Sequence, residues 1–411
     1  MKFLHTADLH IGRLFHGISL LDEQKQVLQQ IIDTATREKI DALLIAGDVY
    51  DRNIPPVEAI TLLEWFVNEL TLKHRIPVIM ISGNHDSAGR LGFANKQMAQ
   101  GGLHVFSSLE QILSPVVLSR DESADFASEK VHIYGIPFCT PSEVNKAFEQ
   151  AFSSYDQAHT FLVERITQQI TQQNTQQITQ QNTQQNTPSV KNILLSHCFM
   201  LNAESSDSER TLSVGGSDRV SAQPCAAFDY VALGHLHRPQ AVGFEHIRYS
   251  GSLMKYSFSE HLHDKGVTLL DTNQQTIKIE HVALTPARDT RVISGKLKDL
   301  ILQGKTDPKA DDYVLARLTN TESLLDPMNQ LRAVYPNALQ IERLEKVSAT
   351  PGESSREKLS RSSHDLFADF YASMTDEGLS QAEQDLVNLL LDEISLEPEF
   401  SYAQSGDVEL N

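Results

Sequence analysis

The chain has 411 residues and 40% hydrophobic content, enough for a substantial core spread over two or three domains. Its net charge of −19 argues against a general polyanion binder, but 12 of the 54 acidic residues lie in Ser362–Asn411, which has no Lys or Arg, and the remaining 42 against 35 basic leave −7. Three cysteines (Cys139, Cys198, Cys225) without CxxC spacing fit a reducing compartment; with no charged and apolar leader and no apolar run of about 18 residues, a soluble, cytoplasmic protein without membrane contact is expected.

In chain order, the apolar run Lys2-Phe3-Leu4-His5 leads into Asp8-Leu9-His10. A helical stripe of Val27, Leu28, Ile31, Ile32 and Ala35 follows, then Ala42–Ala46 running into Gly47-Asp48. A second stripe (Ile60, Leu63, Phe66, Val67, Leu70) precedes Val78–Ile81 and Gly83-Asn84-His85-Asp86. Continuous apolar runs of four or five residues predict strands buried on both faces, and this βαβα opening predicts an α/β fold. Further runs at Val131–Tyr134, Asn192–Leu195 (into Ser196-His197), Tyr230–Leu233 (into Gly234-His235-Leu236-His237), Val267–Leu270 and Ile277–Ile279 have few helices between them. A two-sheet sandwich flanked by helices over residues 1–285 suits this better than one doubly wound sheet.

Inside that domain, residues 166–187 repeat every four residues as ITQQ or NTQQ. So polar a tract is expected to be a solvent-exposed insert without catalytic role, because it buries too little to offset its ordering entropy; the Ile residues at every fourth or eighth position leave extension of the preceding helix as the lesser alternative. Residues 286–346 read as a small α/β unit, with strands at Asp312–Arg317 and Ala338–Ile341 and a helix at Asp326–Val334. Residues 347–363 have linker composition. Residues 364–396 read as a helical hairpin whose second helix opens with the capping box Ser380-Gln381-Ala382-Glu383; an acidic tail, 397–411, closes the chain. Leu366, Phe367, Phe370 and Tyr371 share a face of the first helix and Leu386, Leu390 and Ile394 belong to the second, which is the pattern of a partner-binding hairpin, with docking on the chain's own domain as the plainer alternative.

The chemistry lies at the five strand ends. Polar residues just beyond parallel strands are where α/β sheets build their sites. Two Asp, one Asn and four His on one sheet edge would make a mixed oxygen and nitrogen cage for two hard or borderline divalent ions, such as Mn²⁺ with Mg²⁺ as the alternative. Asp48 is the natural bridging carboxylate, and the glycines at 47, 83 and 234 would let the backbone turn tightly. His16, His74, His104, His261 and His263 lack this setting and read as surface or structural.

DLHIG (8–12), GDVYD (47–51), GNHD (83–86), LLSH (194–197) and GHLH (234–237) resemble the ordered motifs of the calcineurin-like metallophosphoesterases. MKFLHTADLHIGR, GDVYDRNIPP and the tail segments DLFADFY and LLLDEI narrow the resemblance to the bacterial SbcD family, the nuclease subunits of SbcCD complexes. The resemblance implies that Asp8, His10, Asp48 and His237 hold one ion and that Asp48, Asn84, His197 and His235 hold the other. It implies that His85 stabilises or protonates the departing sugar oxygen with Asp86 orienting it, while Asp48 helps to stabilise the extra charge. It further implies residues 286–346 as a capping domain that contacts DNA, an SbcC-type coiled-coil ATPase as partner, and a homodimer within a heterotetramer. The implied activity is exonucleolytic and endonucleolytic hydrolysis at double-strand ends and hairpins, in DNA repair, replication and recombination. A small-substrate phosphoesterase and a DNA-end tether with secondary catalysis are the rival readings.

Overall fold

The computed structural model describes residues 1–120, 129–180, 189–209, 218–273 and 276–343, together with Tyr371, Ser380, Gln381, Glu383, Gln384, Leu386 and Val387. Two six-stranded sheets dominate it. The first runs, side by side, Lys278–Ala283, Gly266–Asp271, Lys2–Thr6, Ala42–Ile45, Val78–Ile81 and Leu103–Phe106. Its last four strands are mutually parallel, and the first two pair antiparallel. The second sheet runs Gln240–Val242, Phe244–Tyr249, Tyr230–Gly234, Ser189–His197, Glu129–Ile136 and Val116–Arg120, with its four central strands parallel.

The sheets face each other across a dry layer. Phe3, Leu44, Ile79 and Ile81 of the first meet Ile133, Ile193, Leu195, Tyr230 and Ala232 of the second, and none is more than marginally exposed. The apolar runs are continuous because the outer faces are covered as well. Helix Leu21–Glu38 lays its stripe of Val27, Leu28, Ile31, Ile32 and Ala35 on the first sheet together with helix Val57–Asn68. Helix Tyr155–Gln180 covers the second sheet. Polar ties also cross the apolar layer: buried His5 bonds the Tyr230 hydroxyl (2.9 Å) and the Leu233 carbonyl (3.2 Å), and burial pushes its pKa down to about 3.

The repeat tract corrects one expectation, since its first fifteen residues, Ile166 to Gln180, are helical. Ile166 is fully buried, Ile170 packs on the same core, and the Gln169 amide donates to the Leu113 carbonyl (2.8 Å). A period of four keeps successive Ile residues near one helix face, and Thr167, Thr171 and Thr175 each spend their hydroxyl on the carbonyl four residues back. Propagating an anchored helix costs far less than nucleating one. Residues 181–187 of the tract lie outside the described residues.

Residues 290–343 form a three-stranded parallel sheet, Thr290–Gly295, Tyr313–Leu318 and Ala338–Arg343, with helices Leu297–Gly304 and Pro327–Arg332 around their own core of Leu300, Val314, Leu318 and Leu331. Tyr313 and Leu315 reach into the core beneath helix Leu21–Glu38, where the Tyr313 hydroxyl donates to buried Glu23 (3.0 Å). In the C-terminal unit, Ser380 and Glu383 make the reciprocal capping box, and the Tyr371 hydroxyl donates to Glu383 (3.3 Å). Leu386 is exposed. Leu366, Phe367, Phe370, Leu390 and Ile394 lie outside the described residues.

Candidate metal centre

The carboxyl ends of five parallel strands, three from the first sheet and two from the second, open on one edge. Beyond the first two, the chain segments stay zipped: Asp8 N donates to Gly47 O (3.1 Å), His10 N to Asp48 O (3.0 Å) and Ile11 N to Val49 O (3.0 Å). All seven expected ligands converge here. Asp8, His10, Asp48, His197, His235 and His237 are buried and Asn84 is partly so. Asp48 Oδ2 lies 3.7 Å from His10 Nε2 and 3.6 Å from His197 Nε2, midway between two groups of donors. On one side His10 Nε2 stands 3.1 Å from His237 Nε2; on the other Asn84 Oδ1 stands 2.9 Å from His197 Nε2 and 3.1 Å from His235 Nδ1.

Several of these contacts are lone pair against lone pair. The Nδ1–H of His197 donates to the Ala46 carbonyl (2.8 Å), which leaves Nε2 as an acceptor facing the Asn84 carbonyl oxygen. The Nδ1–H of His237 donates to Ser208 Oγ (2.6 Å), which leaves its Nε2 facing His10. Acceptors gathered without a proton between them call for a cation. With metal–ligand bonds of about 2.1 Å, ligands at right angles sit about 3 Å apart, so the spacing fits divalent ions.

Electrostatics agree. Burial, then the neighbouring Asp48 carboxylate, pushes the Asp8 carboxyl well above its ordinary range. Burial, then neighbouring imidazoles, pushes His10 and His235 well below theirs; burial also lowers His197, although Asp48 and the Ala46 carbonyl oppose it. Two divalent cations would reverse the cost of ionising Asp8 and keep the imidazoles neutral.

The backbone is strained at the same points. Asp8 (φ 52°), His10 (φ 43°), Asp48 (φ 48°) and His235 (φ 109°) all occupy the positive-φ region, at about 1–3 kcal/mol each. The glycines work otherwise than expected. Of Gly47, Gly83 and Gly234, only Gly47 has positive φ (92°); Gly83 is required for space, since a Cβ there would stand 2.2 Å from Asp48 Oδ1.

His85 donates its backbone N–H to Asp48 Oδ1 (2.8 Å), and its ring meets that of His10 edge-on at 4.7 Å. The expectation that Asp86 orients His85 fails, because His85 Nδ1 donates to the Asp51 carbonyl (2.8 Å) instead. Asp86 is occupied by three backbone donors: Gly83 (2.9 Å) and Val49 (3.1 Å) on Oδ2, and Tyr50 (2.9 Å) on Oδ1. It staples the Asp48 loop to the Asn84 loop. Burial, then Asp48, pushes its pKa up to about 7.

Several supporting residues were not foreseen. Asp51 pairs with Arg13 (2.9 Å) and approaches His10 Nδ1 (3.7 Å). Gln24 accepts from Gly12 N (3.0 Å) and donates to the Leu9 and His10 carbonyls (3.1 and 2.8 Å); a glutamine inside an otherwise apolar helical stripe was its signal. Behind His237, the Ser208 hydroxyl donates to Glu260, which is fully buried and paired with Lys265. Lys265 also donates to the His237 carbonyl (2.7 Å) and Ser252 Oγ (2.8 Å). Burial alone would raise the Glu260 carboxyl, but Lys265 and His237 hold it below its ordinary value. None of His16, His74, His104, His261 and His263 joins a metal-type cluster among the described residues.

Two family models match the sequence: the calcineurin-like phosphoesterases over residues 1–239 and the Type 5 capsule protein repressor C-terminal domain over residues 286–375. The chain is 35% identical over 393 residues, 95% of its own length and 98% of the relative's, to the SbcD subunit of the SbcCD nuclease of Staphylococcus epidermidis. Solved structures resemble it more loosely: GAP50, the anchor in the inner membrane complex of Plasmodium (10% identity, 84% of this chain and 98% of that one, TM-score 0.41), and a dimetal phosphatase from Danio rerio (9%, 70% and 97%, TM-score 0.39). No helix among the described residues is long and apolar enough to cross a membrane.

Proposed function

The chain belongs to the calcineurin-like phosphoesterases and, within them, to the SbcD nuclease subunits, and from that premise we propose a Mn²⁺-dependent nuclease that cleaves phosphodiesters at double-strand DNA ends and hairpins, both exonucleolytically and endonucleolytically. Asp8, His10, Asp48 and His237 would hold one ion, and Asp48, Asn84, His197 and His235 the other. The observation that carries this assignment is the position of Asp48 Oδ2, 3.7 and 3.6 Å from the imidazoles of the two groups. Two divalent ions supply Lewis acidity and neutralise charge on a phosphoryl group in transfer.

The chain's own residues do the rest. Asp48 joins the two ligand groups and is itself oriented by the His85 backbone N–H. His85 gives its Nδ1 proton to the Asp51 carbonyl, so Nε2 is the atom free to carry a proton to the departing sugar oxygen. The strained strand-end loops keep the ligands assembled, so the cage needs little rearrangement during reaction.

We further propose a cytoplasmic setting and a homodimer joined to two SbcC-type coiled-coil ATPase subunits. Residues 286–346 would cap the nuclease domain and contact DNA, and residues 364–396 would dock the ATPase. Purified protein with Mn²⁺, with and without the ATPase, tested on linear duplex and hairpin DNA and on a generic phosphodiester, decides the matter. Hydrolysis of the generic diester alone would overturn the nuclease reading and leave a small-substrate phosphoesterase.

A further inference from the structure

Beside the His197 and His235 side of the cage stands a pair that the metal chemistry does not use. Phe199 begins a two-stranded parallel ladder, Phe199–Met200 against Arg219–Val220, in which Phe199 and Arg219 are register partners. Phe199 is half-buried, with its ring 5.8 Å from that of His235. Arg219 is exposed, and its guanidinium lies 4.8 Å from the Phe199 ring centroid. The cavity behind the ring, bounded by Phe138, Tyr155, His159, His197 and Cys198, holds only about 20 Å³. That is room for one water and not for an aromatic ligand. Anything stacking here must come from the solvent side, against the guanidinium.

We propose that Arg219, backed by Phe199, is a stacking platform for an unpaired nucleobase next to the scissile phosphate. Guanidinium planes and aromatic rings are what splayed bases stack on, whatever their identity. A base in a duplex is already stacked between its neighbours, so the platform acts on frayed ends and hairpin loops and biases cleavage toward them. The proposal deepens the nuclease reading and rests on it. Phe199 supports Arg219 from behind, and its contact with His235 places the platform at the cage rather than along the distal duplex.

The test is equilibrium binding of metal-loaded, full-length protein in Ca²⁺ to two fluorescent DNAs, a blunt duplex and the same duplex with a short unpaired end, alongside Mn²⁺ cleavage of both. Stacking on a protein side chain contributes about 1–3 kcal/mol per base, or about 5- to 150-fold. Arg219→Ala and Phe199→Leu are expected to weaken binding of the frayed substrate within that range while blunt-duplex affinity changes less than twofold, and Phe199→Trp to restore it. Arg219→Lys keeps the charge and removes the plane, and is expected to behave as Arg219→Ala. Wild-type affinity of Arg219→Lys for the frayed end would make Arg219 a phosphate contact and overturn the platform, as would equal losses on both DNAs. Should wild-type protein cleave neither DNA yet prefer the frayed end in binding, the nuclease reading falls and the platform stands; with neither cleavage nor preference, both fall.

Discussion

Glu260→Gln is the sharpest probe of what holds the cage from behind. Glu260 lies in a fully buried chain, Lys265 to Glu260 to Ser208 to His237, and receives Ser208 and Lys265 together with Tyr256 N (3.2 Å). A glutamine keeps the shape but leaves the Lys265 ammonium, itself 3% exposed, without its carboxylate. Breaking a buried pair on one side costs about 3–5 kcal/mol. Losing the group that fixes a ligand's tautomer typically costs about 10- to 100-fold in metal affinity. Glu260→Gln should therefore lower the urea midpoint in EDTA and weaken Mn²⁺ binding by calorimetry. The double variant Glu260→Gln/Lys265→Met removes both charges and should regain much of the midpoint, while metal affinity stays low because a neutral amide oxygen holds Ser208, and through it His237, more weakly than the carboxylate does. A single variant with wild-type midpoint and affinity would show that the Glu260 chain does not position His237.

His85→Ala should reduce DNA cleavage by about 10²–10⁴-fold with Mn²⁺ content unchanged, because its contact to Asp48 comes from the backbone; cleavage at the wild-type rate refutes the proton-transfer role. Burial and Asp48 raise the Asp8 carboxyl and bring Asp86 to about 7, so below about pH 7 binding must displace protons: Mn²⁺ affinity should fall from pH 8 to pH 6, and a binding heat at pH 6 that is independent of buffer ionisation enthalpy would contradict this. Ile166→Ala should cost about 2–5 kcal/mol in urea unfolding, because Ile166 is fully buried, whereas deletion of residues 171–187 should leave metal binding and cleavage nearly unchanged; equal effects of the two would refute the division of the tract. Truncation at Ser363 should abolish co-purification with a coiled-coil ATPase and leave Mn²⁺ content normal, and a truncated chain that still binds that partner fully would show the hairpin is not the docking element.

The cage was legible because its information is local. Each proposed ligand sits within a few residues of an apolar run, the runs are buried on both faces, and parallel strands must end on a common edge. Asp8 and His10, or His235 and His237, could therefore be placed without knowing what packs on them. Apart from Gln24, the supporting groups carry no such mark. Glu260 and Lys265 become partners of His237 only after Ser208, Ser252 and Tyr256 have been brought around them. The space that Gly83 must leave belongs to Asp48 in the loop beyond a neighbouring strand, and a position read as a turn proves to be a close approach. Asp86 departs from its implied role for a related reason: the resemblance made it the group that orients His85, yet the carboxylate serves backbone donors on two loops.

The strain at the strand ends explains why local rules weaken where the chemistry is. Asp8, His10, Asp48 and His235 hold backbone conformations that L-residues avoid, and nothing in their own side chains favours the choice beyond the modest tolerance of Asp and His. Those conformations persist because the zipped segments Asp8–Ile11 and Gly47–Val49, the Gln24 amide beneath the Leu9 and His10 carbonyls and the Asp86 staple together over-determine them. The apolar sandwich supplies the stability against which that strain is held, and strain and ligands coincide because both are needed to aim the same lone pairs inward.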